Sequence, residues 1–547
     1  MIDPREDSGL LIDAMLAMVD KQGPDHNERA GDQTNEGLLG VFGESSDQEP
    51  DPLDAMEAFE TDEPDEEAVD YSQVPHGANL ADYLEEHELQ RLALSLQEQY
   101  KDDKQSRSSW EQTAADGMEL LGLEIKPSKS EPFKGASSVV DPVITEAIIK
   151  FQSNAVQEIF GSDGPVEVKI WGKPDDIKRE RATRKKDYMN HVLTTVIDDY
   201  REETEKLLWG LAYCGSAFRK IYPNDETGEP EAQYFPAERV IIPYNYPNLW
   251  KAPRYSCIIN LDDMELHRLQ KTGVYRDVEL GHASMEELSE VQSAKDEITK
   301  TERPVTAQAE SRTIIEMYCR LNVPHFDDED AIASPYIVTF EDQTSKVLAI
   351  RRNWKEGDPK RRALHWMVQY TFIPGPGSYG FGYIHLIGNL AKASSSILRI
   401  LMDSGVMSSF IGGLVQGLRQ GQGEFRIKPG QFVNVDLGGM SLSENLIPMP
   451  SKEPSVTLAQ VRDGVKNDAK NIASIADPDI AANGEVPVGT IIALLQEKQK
   501  VMTAIQARLH RALRKEFAIL DRVISQQLSD SVGGDQDKEY PYEVMGG

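Results

Sequence analysis

Several features that identify common protein classes are scarce or missing in this sequence. Its 547 residues include only three cysteines, Cys214, Cys257 and Cys319, which lie too far apart to form a CxxC metal motif or a disulfide framework. No apolar run is long enough to span a membrane. The P-loop, HExxH and GxSxG signatures are also missing, which argues against the ATPases, zinc proteases and serine hydrolases that carry them.

Basic residues are also scarce, and the shortage is greatest at the N-terminus. The chain has 58 Lys and Arg against 92 Asp and Glu, a formal net charge of −34. Residues 1–80 hold 22 acidic and three basic residues, a balance of 3 − 22 = −19, so the remaining 467 residues carry −34 + 19 = −15. Tight binders of duplex DNA normally present a basic face, and this composition argues against that class.

The acidic N-terminal segment, residues 1–78, is predicted to be a disordered tail. Between residues 22 and 75 it is rich in Asp, Glu, Gly, Pro, Asn and Gln and has few aromatic residues. Such a segment cannot bury enough apolar surface to offset the entropy lost on ordering. Ordered structure is expected to begin near Asn79.

Hydrophobic periodicity then predicts a series of helices. Leucines at helical spacing predict two helices within residues 80–121, with a charged bend at 101–108. Asp141 and Pro142 predict a helix start, with Asp141 as the N-cap, and Gly161 ends that helix. A long helix is predicted from residue 176 to 200. One face of this helix is basic, and it either faces solvent or contacts an acidic partner. Its basic residues are Lys178, Arg179, Arg181, Arg184, Lys185 and Lys186.

Strand-like segments occur in three places. Residues 166–171 alternate in polarity and predict a strand, strand-like segments run from residue 218 to 259 with a turn at 224–228, and residues 312–372 predict a run of four strands. The segment before that run, 262–300, is highly charged and predicted to be helical. After the run, a long and mostly apolar helix is predicted at 384–407. Two more helices are predicted at 454–476 and 490–528.

A glycine-rich turn at Gly375–Gly380 matches the GxGxxG pattern between a strand and a helix. Pro376 removes a backbone donor that a phosphate-binding loop needs, and Asp403 falls within a helix rather than at a strand tip. A hinge between strand and helix is therefore the preferred interpretation. We expect no catalytic residue, cofactor or metal site.

Four segments together resemble the portal proteins of tailed double-stranded DNA bacteriophages, the podovirus-type head-to-tail connectors. They are residues 133–160, 337–362, 368–405 and 485–517. The resemblance covers roughly residues 110–547 and is most specific at 351–358, 379–403 and 487–515.

This resemblance implies a mainly α fold with α+β parts, built as wing, stem and clip and assembled into a ring-shaped homododecamer. It implies a wing at residues 79–260 and 411–530, stem helices at 261–300 and 381–410, and a β insert, the clip, at 301–380. Residues 531–547 would form a strand-like end, with the crown of longer relatives absent or truncated.

The function that the resemblance implies is a channel at one capsid vertex for genome packaging and ejection. Expected partners are further copies of the chain, the terminase large subunit, a head–tail adaptor, and major capsid and scaffold proteins. Double-stranded DNA would pass without sequence specificity, and an acidic or neutral wall would let it slide. The protein would be a non-enzymatic component of the virion, made in the host bacterial cytoplasm, with no membrane partner.

Three groups of residues acquire candidate roles from the resemblance. Channel-facing candidates are Gln416, Arg419, Gln420, Gln422, Arg426, Lys428 and Lys452. Stem residues expected to pack against ring neighbours are Gly388, Ala391, Ser394, Ser395 and Leu398. Candidates for docking the packaging motor are Arg351, Arg352, Lys355, Lys360, Arg361 and Arg362. The alternatives are a monomeric capsid-assembly adaptor or scaffold and, less favoured, a nucleotide-binding enzyme that uses Gly375–Gly380.

Overall fold

The fold mixes α-helices and β-strands, and more of its residues are helical than extended. The computed structural model describes the following residues: 71–123, 136–162, 164–224, 227–281, 289–301, 311–327, 332–409, 413–415, 446–448, 454–473 and 488–531.

Helices form most of the described chain and are named here in chain order. They are α1 Glu86–Ser106, α2 Ser108–Glu119, α3 Val143–Ile159, α4 Asp176–His191, α5 Tyr200–Cys214, α6 Asp263–Lys271, α7 Glu290–Thr299, α8 Tyr383–Ser409, α9 Val456–Ile472 and α10 Val488–Ser531. A π-helical turn, Val192–Val196, follows α4, and 3-10 turns occupy Tyr71–Gln73 and Leu80–Tyr83.

The strands form antiparallel sheets. They are β1 Ser216–Pro223, β2 Pro230–Pro236, β3 Val240–Ile241, β4 Tyr255–Asp262, β5 Ser311–Leu321, β6 Ser334–Glu341, β7 Val347–Arg352, β8 Met367–Thr371, β9 Gly413–Val415 and β10 Leu446–Pro448. The larger sheet has the order β3-β4-β5-β6-β7, the smaller one has the order β2-β1-β8, and β9 pairs with β10.

Two main cores follow from the apolar faces of these elements. The larger core surrounds β1 and β8 and is filled from helices α3, α5, α8 and α10, for example by Phe151, Leu208 and Leu520. A second core lies where Leu89 and Leu96 of α1 pack on the larger sheet. Burial of these apolar side chains is the main favourable term for folding. The two helices predicted within residues 80–121 are confirmed as α1 and α2.

Ordered structure begins earlier than the sequence predicted. Tyr71 stacks on the His325 ring with a centroid separation of 4.7 Å. Asn79 is buried; its Nδ2 donates to the Leu348 carbonyl at 3.1 Å and its Oδ1 accepts from the Ile350 N–H at 2.9 Å. This side chain thereby satisfies main-chain groups at the outer edge of β7. The boundary of the predicted tail is therefore wrong for residues 71–78, and residues 1–70 lie outside the described part of the chain.

The predicted helix at 261–300 is two short helices, α6 and α7, with residues 272–281 not helical between them. Apolar residues of this connection, such as Val278 and Leu280, pack beside Ile314 and Leu348 of the larger sheet. Because its apolar residues pack on the sheet, the 272–281 segment is not helical, although its charge pattern predicts a helix. The expected single stem helix is wrong.

The β insert at 301–380 is not a separate module. Its first strand, β5, pairs with β4 in the register Ile258↔Ile315, and its last strand, β8, pairs with β1 in the register Phe218↔Gln369. Both partners precede residue 301, so the insert shares sheets with the segment predicted as wing. The strands themselves are confirmed as β5–β8, but the domain boundary is wrong.

Two further local predictions are wrong for identifiable reasons. Residues 166–171 pair with none of the described strands. At the first of these residues, the Asn190 side chain bonds both main-chain groups of Val166, at 2.9 Å to its N–H and 3.3 Å to its carbonyl. Helix α3 has Pro142 as its N-cap and no side-chain cap. The Asp141 carboxylate instead faces α8 and α9.

Candidate functional site

The small residues of α8 lie inside the subunit. Gly388, Ala391, Ser394 and Ser395 are buried, and Leu398 is half-buried. Helix α8 packs these positions against α3 and α9 of the same chain, where small side chains allow close approach. The expectation that this face packs against ring neighbours is therefore corrected: its buried part stabilises a single subunit.

A buried carboxylate joins these helices. Asp141 accepts hydrogen bonds from Ser394 Oγ at 2.8 Å, Lys466 Nζ at 3.0 Å and Arg462 Nη2 at 3.2 Å. Its own N–H donates to Ser395 Oγ at 2.9 Å. Burial alone would raise the pKa of Asp141, but the hydrogen bonds from Lys466, Ser394 and Arg462 hold it below its usual value. The serines of α8 thus have a structural role that their small size alone did not reveal.

Farther along α8 the same stripe becomes exposed. Ile387, Ala391, Leu398 and Met402 share one face at helical spacing, but their exposed fraction rises from 0% at Ile387 and Ala391 to 44% at Met402. Val406, one turn later, is 48% exposed. Here the apolar stripe extends past those described neighbours that cover its first half.

Helix α9 also exposes apolar residues. One of its faces carries apolar residues at the spacing i, i+3, i+7 and i+14 that are exposed or half-buried: Leu458, Val461, Val465 and Ile472. On the adjacent side of the helix, Arg462 and Lys466 contact Asp141. We call Met402, Val406 and these four residues the α8–α9 apolar face. An apolar surface of this kind in an acid-rich chain is typical of a protein contact.

Most of the predicted motor-docking cations have partners within the chain. Arg351 donates to the Val274 carbonyl at 3.1 Å, and Arg352 donates to the Pro75 carbonyl at 2.8 Å. Arg361 pairs with Asp327, and Arg362 pairs with Asp358 at 2.9 Å. Arg351, Arg352 and Arg361 thus join separate segments of the chain, whereas the Arg362 pair lies within one loop. Lys355 and Lys360 are exposed, and their part in docking stays a prediction.

The glycine-rich turn packs tightly against the rest of the fold. The Gly380 N–H donates to Ser216 Oγ at 2.8 Å, and a Cβ on Gly380 would lie 2.5 Å from the Gly215 carbonyl oxygen. Tyr379 stacks on Trp110 and accepts a hydrogen bond from buried Arg107 at 2.9 Å. Glycine is needed here because two backbone segments cross at close range. The turn connects β8 to α8, as the hinge interpretation expects.

The basic face predicted on α4 is exposed over its first half, and Arg184, Lys185 and Lys186 are half-buried. Within it, Arg179 pairs with Asp176 at 3.3 Å and Lys185 reaches Asp521 of α10 at 2.6 Å. Lys178 and Arg181 are exposed to solvent. Both readings of this face, solvation and an acidic partner, therefore stay open.

The channel-facing candidates lie outside the described residues, as does the predicted strand-like end beyond residue 531. These candidates are Gln416, Arg419, Gln420, Gln422, Arg426, Lys428 and Lys452.

All three cysteines are free and buried, and burial raises the pKa of Cys214 to about 12. None of the described helices is both long and apolar enough to cross a membrane. In the same part of the chain, no group of His, Cys, Asp and Glu is placed to hold a metal ion.

Sequence reasoning missed the buried ion pair that fixes α10. Glu516 accepts from Arg219 Nη1 at 3.3 Å and from Tyr200 OH at 2.7 Å, and Tyr370 OH also donates to it. Arg219 and Glu516 are each 1% exposed. The signal was an acidic residue on the apolar face of a helix, which requires a buried partner.

The sequence was also compared with known proteins. No protein-family model matches it, and no curated protein is detectably similar to it.

Proposed function

We propose that this chain is the subunit of a bacteriophage portal ring that forms the channel for genome packaging and ejection. The resemblance of four sequence segments supports this proposal. The mixed helical and sheet architecture is compatible with it at the level of fold class. The segments 379–403 and 487–515, where the resemblance is most specific, fall largely on α8 and α10.

The observation that carries the proposal is the α8–α9 apolar face. A soluble subunit gains nothing by exposing Val461, Ile472 and Met402 to water, whereas a neighbouring copy would remove them from it. In a closed ring each subunit presents one surface to the copy before it and a different surface to the copy after it. The α8–α9 apolar face is proposed as one of these two surfaces.

In this ring the terminase motor and the head–tail adaptor would dock at the ends of the channel, and the coat and scaffold proteins at its rim. DNA would pass without sequence recognition. The acidic excess of the chain suits passage, because a wall that repels phosphate does not trap it. No covalent step is assigned to any residue.

The proposal is tested by placing a charge on the proposed contact. Val461→Glu should shift the wild-type oligomer to monomers in sedimentation velocity, because a carboxylate in a desolvated interface is costly. Ile177→Glu is the matched control, since Ile177 is also an exposed apolar residue on a helix, at 60%, and lies on α4. If the oligomers persist in Val461→Glu, α9 is not part of the contact between subunits.

A further inference from the structure

Four cationic side chains lie along one face of α10. Relative to Arg508, Arg511 is three residues on, Lys515 seven and Arg522 fourteen, so all four fall within a sector about 60° wide at 3.6 residues per turn. We call these four residues the α10 cation stripe. Among the described residues, no Asp or Glu forms an ion pair with any of them.

This lack of carboxylate partners is particular to one side of the helix. Elsewhere on α10, His510 pairs with Glu158 at 2.6 Å, Asp521 with Lys185 at 2.6 Å, and Glu516 with Arg219. The fold therefore supplies counter-charges to several other positions of α10. Among the described residues, the stripe and the adjacent exposed Arg514 have none.

The stripe is held in place by groups that do not neutralise it. Arg508 Nε donates to the Phe372 carbonyl at 2.8 Å, and Arg522 Nη2 donates to the His365 carbonyl at 2.5 Å. Lys515 Nζ lies 4.2 Å from the centroid of the Trp250 ring. Carbonyl oxygens and an aromatic ring orient these cations while their formal charge stays uncompensated. Arg511 and Lys515 remain exposed and accessible.

The cations also act on one another. Partial burial of the charged groups lowers the pKa of Arg508 and of Lys515, and the nearby Arg511 lowers both further. Burial also lowers the pKa of Arg522. A bound anion would reduce the repulsion between cations that are held this close together.

A cleft extends the basic surface beyond the helix. It has a volume of about 280 Å³ and is lined in part by Trp250, His365, Arg320 and Arg362. The His365 ring stacks on Trp250 with a centroid separation of 4.3 Å, so the cleft and the stripe share this aromatic pair. Arg320 is exposed at the cleft. The surface therefore runs from α10 toward the larger sheet.

We propose that the α10 cation stripe binds the phosphodiester backbone of double-stranded DNA without reading its bases. At 1.5 Å per residue the stripe is about 21 Å long, the length of roughly six phosphates along one strand. Three of its four members are arginines, whose planar fork matches phosphate oxygens. The Trp250 ring is already covered by His365 and Lys515, so it is not free to stack on a base.

This inference goes beyond the proposed function, because it assigns DNA contact to α10 instead of the 416–452 candidates and does not require a ring. The surrounding acidic charge makes the contact weak and dependent on salt. Weak backbone contact suits a strand that must keep moving.

The test measures binding of a fluorescent 30-base-pair duplex of arbitrary sequence to the full chain by anisotropy, at several salt concentrations. The double variant Arg511→Gln, Lys515→Gln should bind about tenfold more weakly, and its log–log salt slope should fall by roughly two, since two phosphate contacts are lost. The control Lys178→Gln, Arg181→Gln removes the same charge from exposed sites on α4 and should bind as wild type does.

Each outcome decides the proposal. The proposal is overturned if the stripe variant binds the duplex as tightly as wild type does. It is also overturned if the control variant loses as much affinity for the duplex as the stripe variant. Binding of poly-glutamate that needs the stripe, without binding of the duplex, overturns it in favour of an acidic protein partner. Native mass of the same samples separates this test from the proposed function: rings that do not bind through the stripe refute only the inference, and monomers that do bind support it.

Discussion

At the scale of single residues, the fold depends on buried charges whose partners are far away in sequence. Glu516 lies between Leu513 and Leu520 on the buried face of α10, and its partner Arg219 is 297 positions earlier. The sequence alone reveals that a carboxylate occupies an apolar face. It cannot reveal which of the 58 basic residues meets it, because that depends on how β1 and α10 pack.

Removal of this carboxylate should destabilise the subunit strongly. Glu516→Ala leaves the Arg219 guanidinium buried and unpaired, so we expect the free energy of unfolding to fall by about 3–5 kcal/mol in urea denaturation. Ser525→Ala, at an exposed position of the same helix, is the control and should change it by less than about 0.5 kcal/mol. If Glu516→Ala lowered the free energy of unfolding no more than Ser525→Ala does, the pair would contribute no net stability.

The Asp141 cluster predicts a dependence of stability on pH. The folded state holds the pKa of Asp141 below its usual value, so its contribution is present above the pKa of the unfolded chain and is lost as pH falls through the folded pKa. Wild type should therefore be more stable than Asp141→Asn at pH 7, and the difference should shrink below about pH 4. Unfolding curves of both proteins from pH 7 to pH 3 measure this. A difference that stays constant over that range would contradict the assignment.

At the scale of elements, sequence periodicity predicted helices and strands correctly except where contacts with other elements changed the local structure. The final helix, predicted at 490–528, is α10 at Val488–Ser531, and the strands of 312–372 were also found. Residues 166–171 alternate like a strand, yet the Asn190 side chain occupies the main-chain groups of Val166. The small residues of α8 were recognised as packing positions, but their partner was not, because α3 and α9 are distant in sequence.

The N-terminal segment gives an element-scale prediction. Deletion of residues 1–70 should leave the free energy of unfolding nearly unchanged, since the first described contacts with the fold are made by Tyr71. Deletion of residues 1–84 should lower it, because Asn79 no longer satisfies the edge of β7. Asn79→Ala isolates the cause and should cost about 1–3 kcal/mol.

Hydrogen exchange at the Ile350 amide provides a local readout for these variants. Protection should be lost in Asn79→Ala and in the longer deletion, and kept in the shorter one. Full protection of this amide without Asn79 would contradict the proposed role of the segment.

At the scale of the whole molecule, the chain combines a strong acidic excess with two localised surfaces of other character. The α8–α9 apolar face carries the proposal of self-assembly, and the α10 cation stripe carries the inference of DNA contact. The described residues of one subunit neither cover the apolar face nor pair the stripe with a carboxylate. Assembly was anticipated only through resemblance, since composition alone points to no particular class of protein.

The most direct measurement of the central claim is native mass spectrometry of the purified full chain, with negative-stain imaging of the same sample. The account predicts closed rings with a central hole and a mass close to that of a dodecamer. A monomer at every concentration, with the α8–α9 apolar face still open to solvent, would contradict the ring and favour the capsid-assembly adaptor.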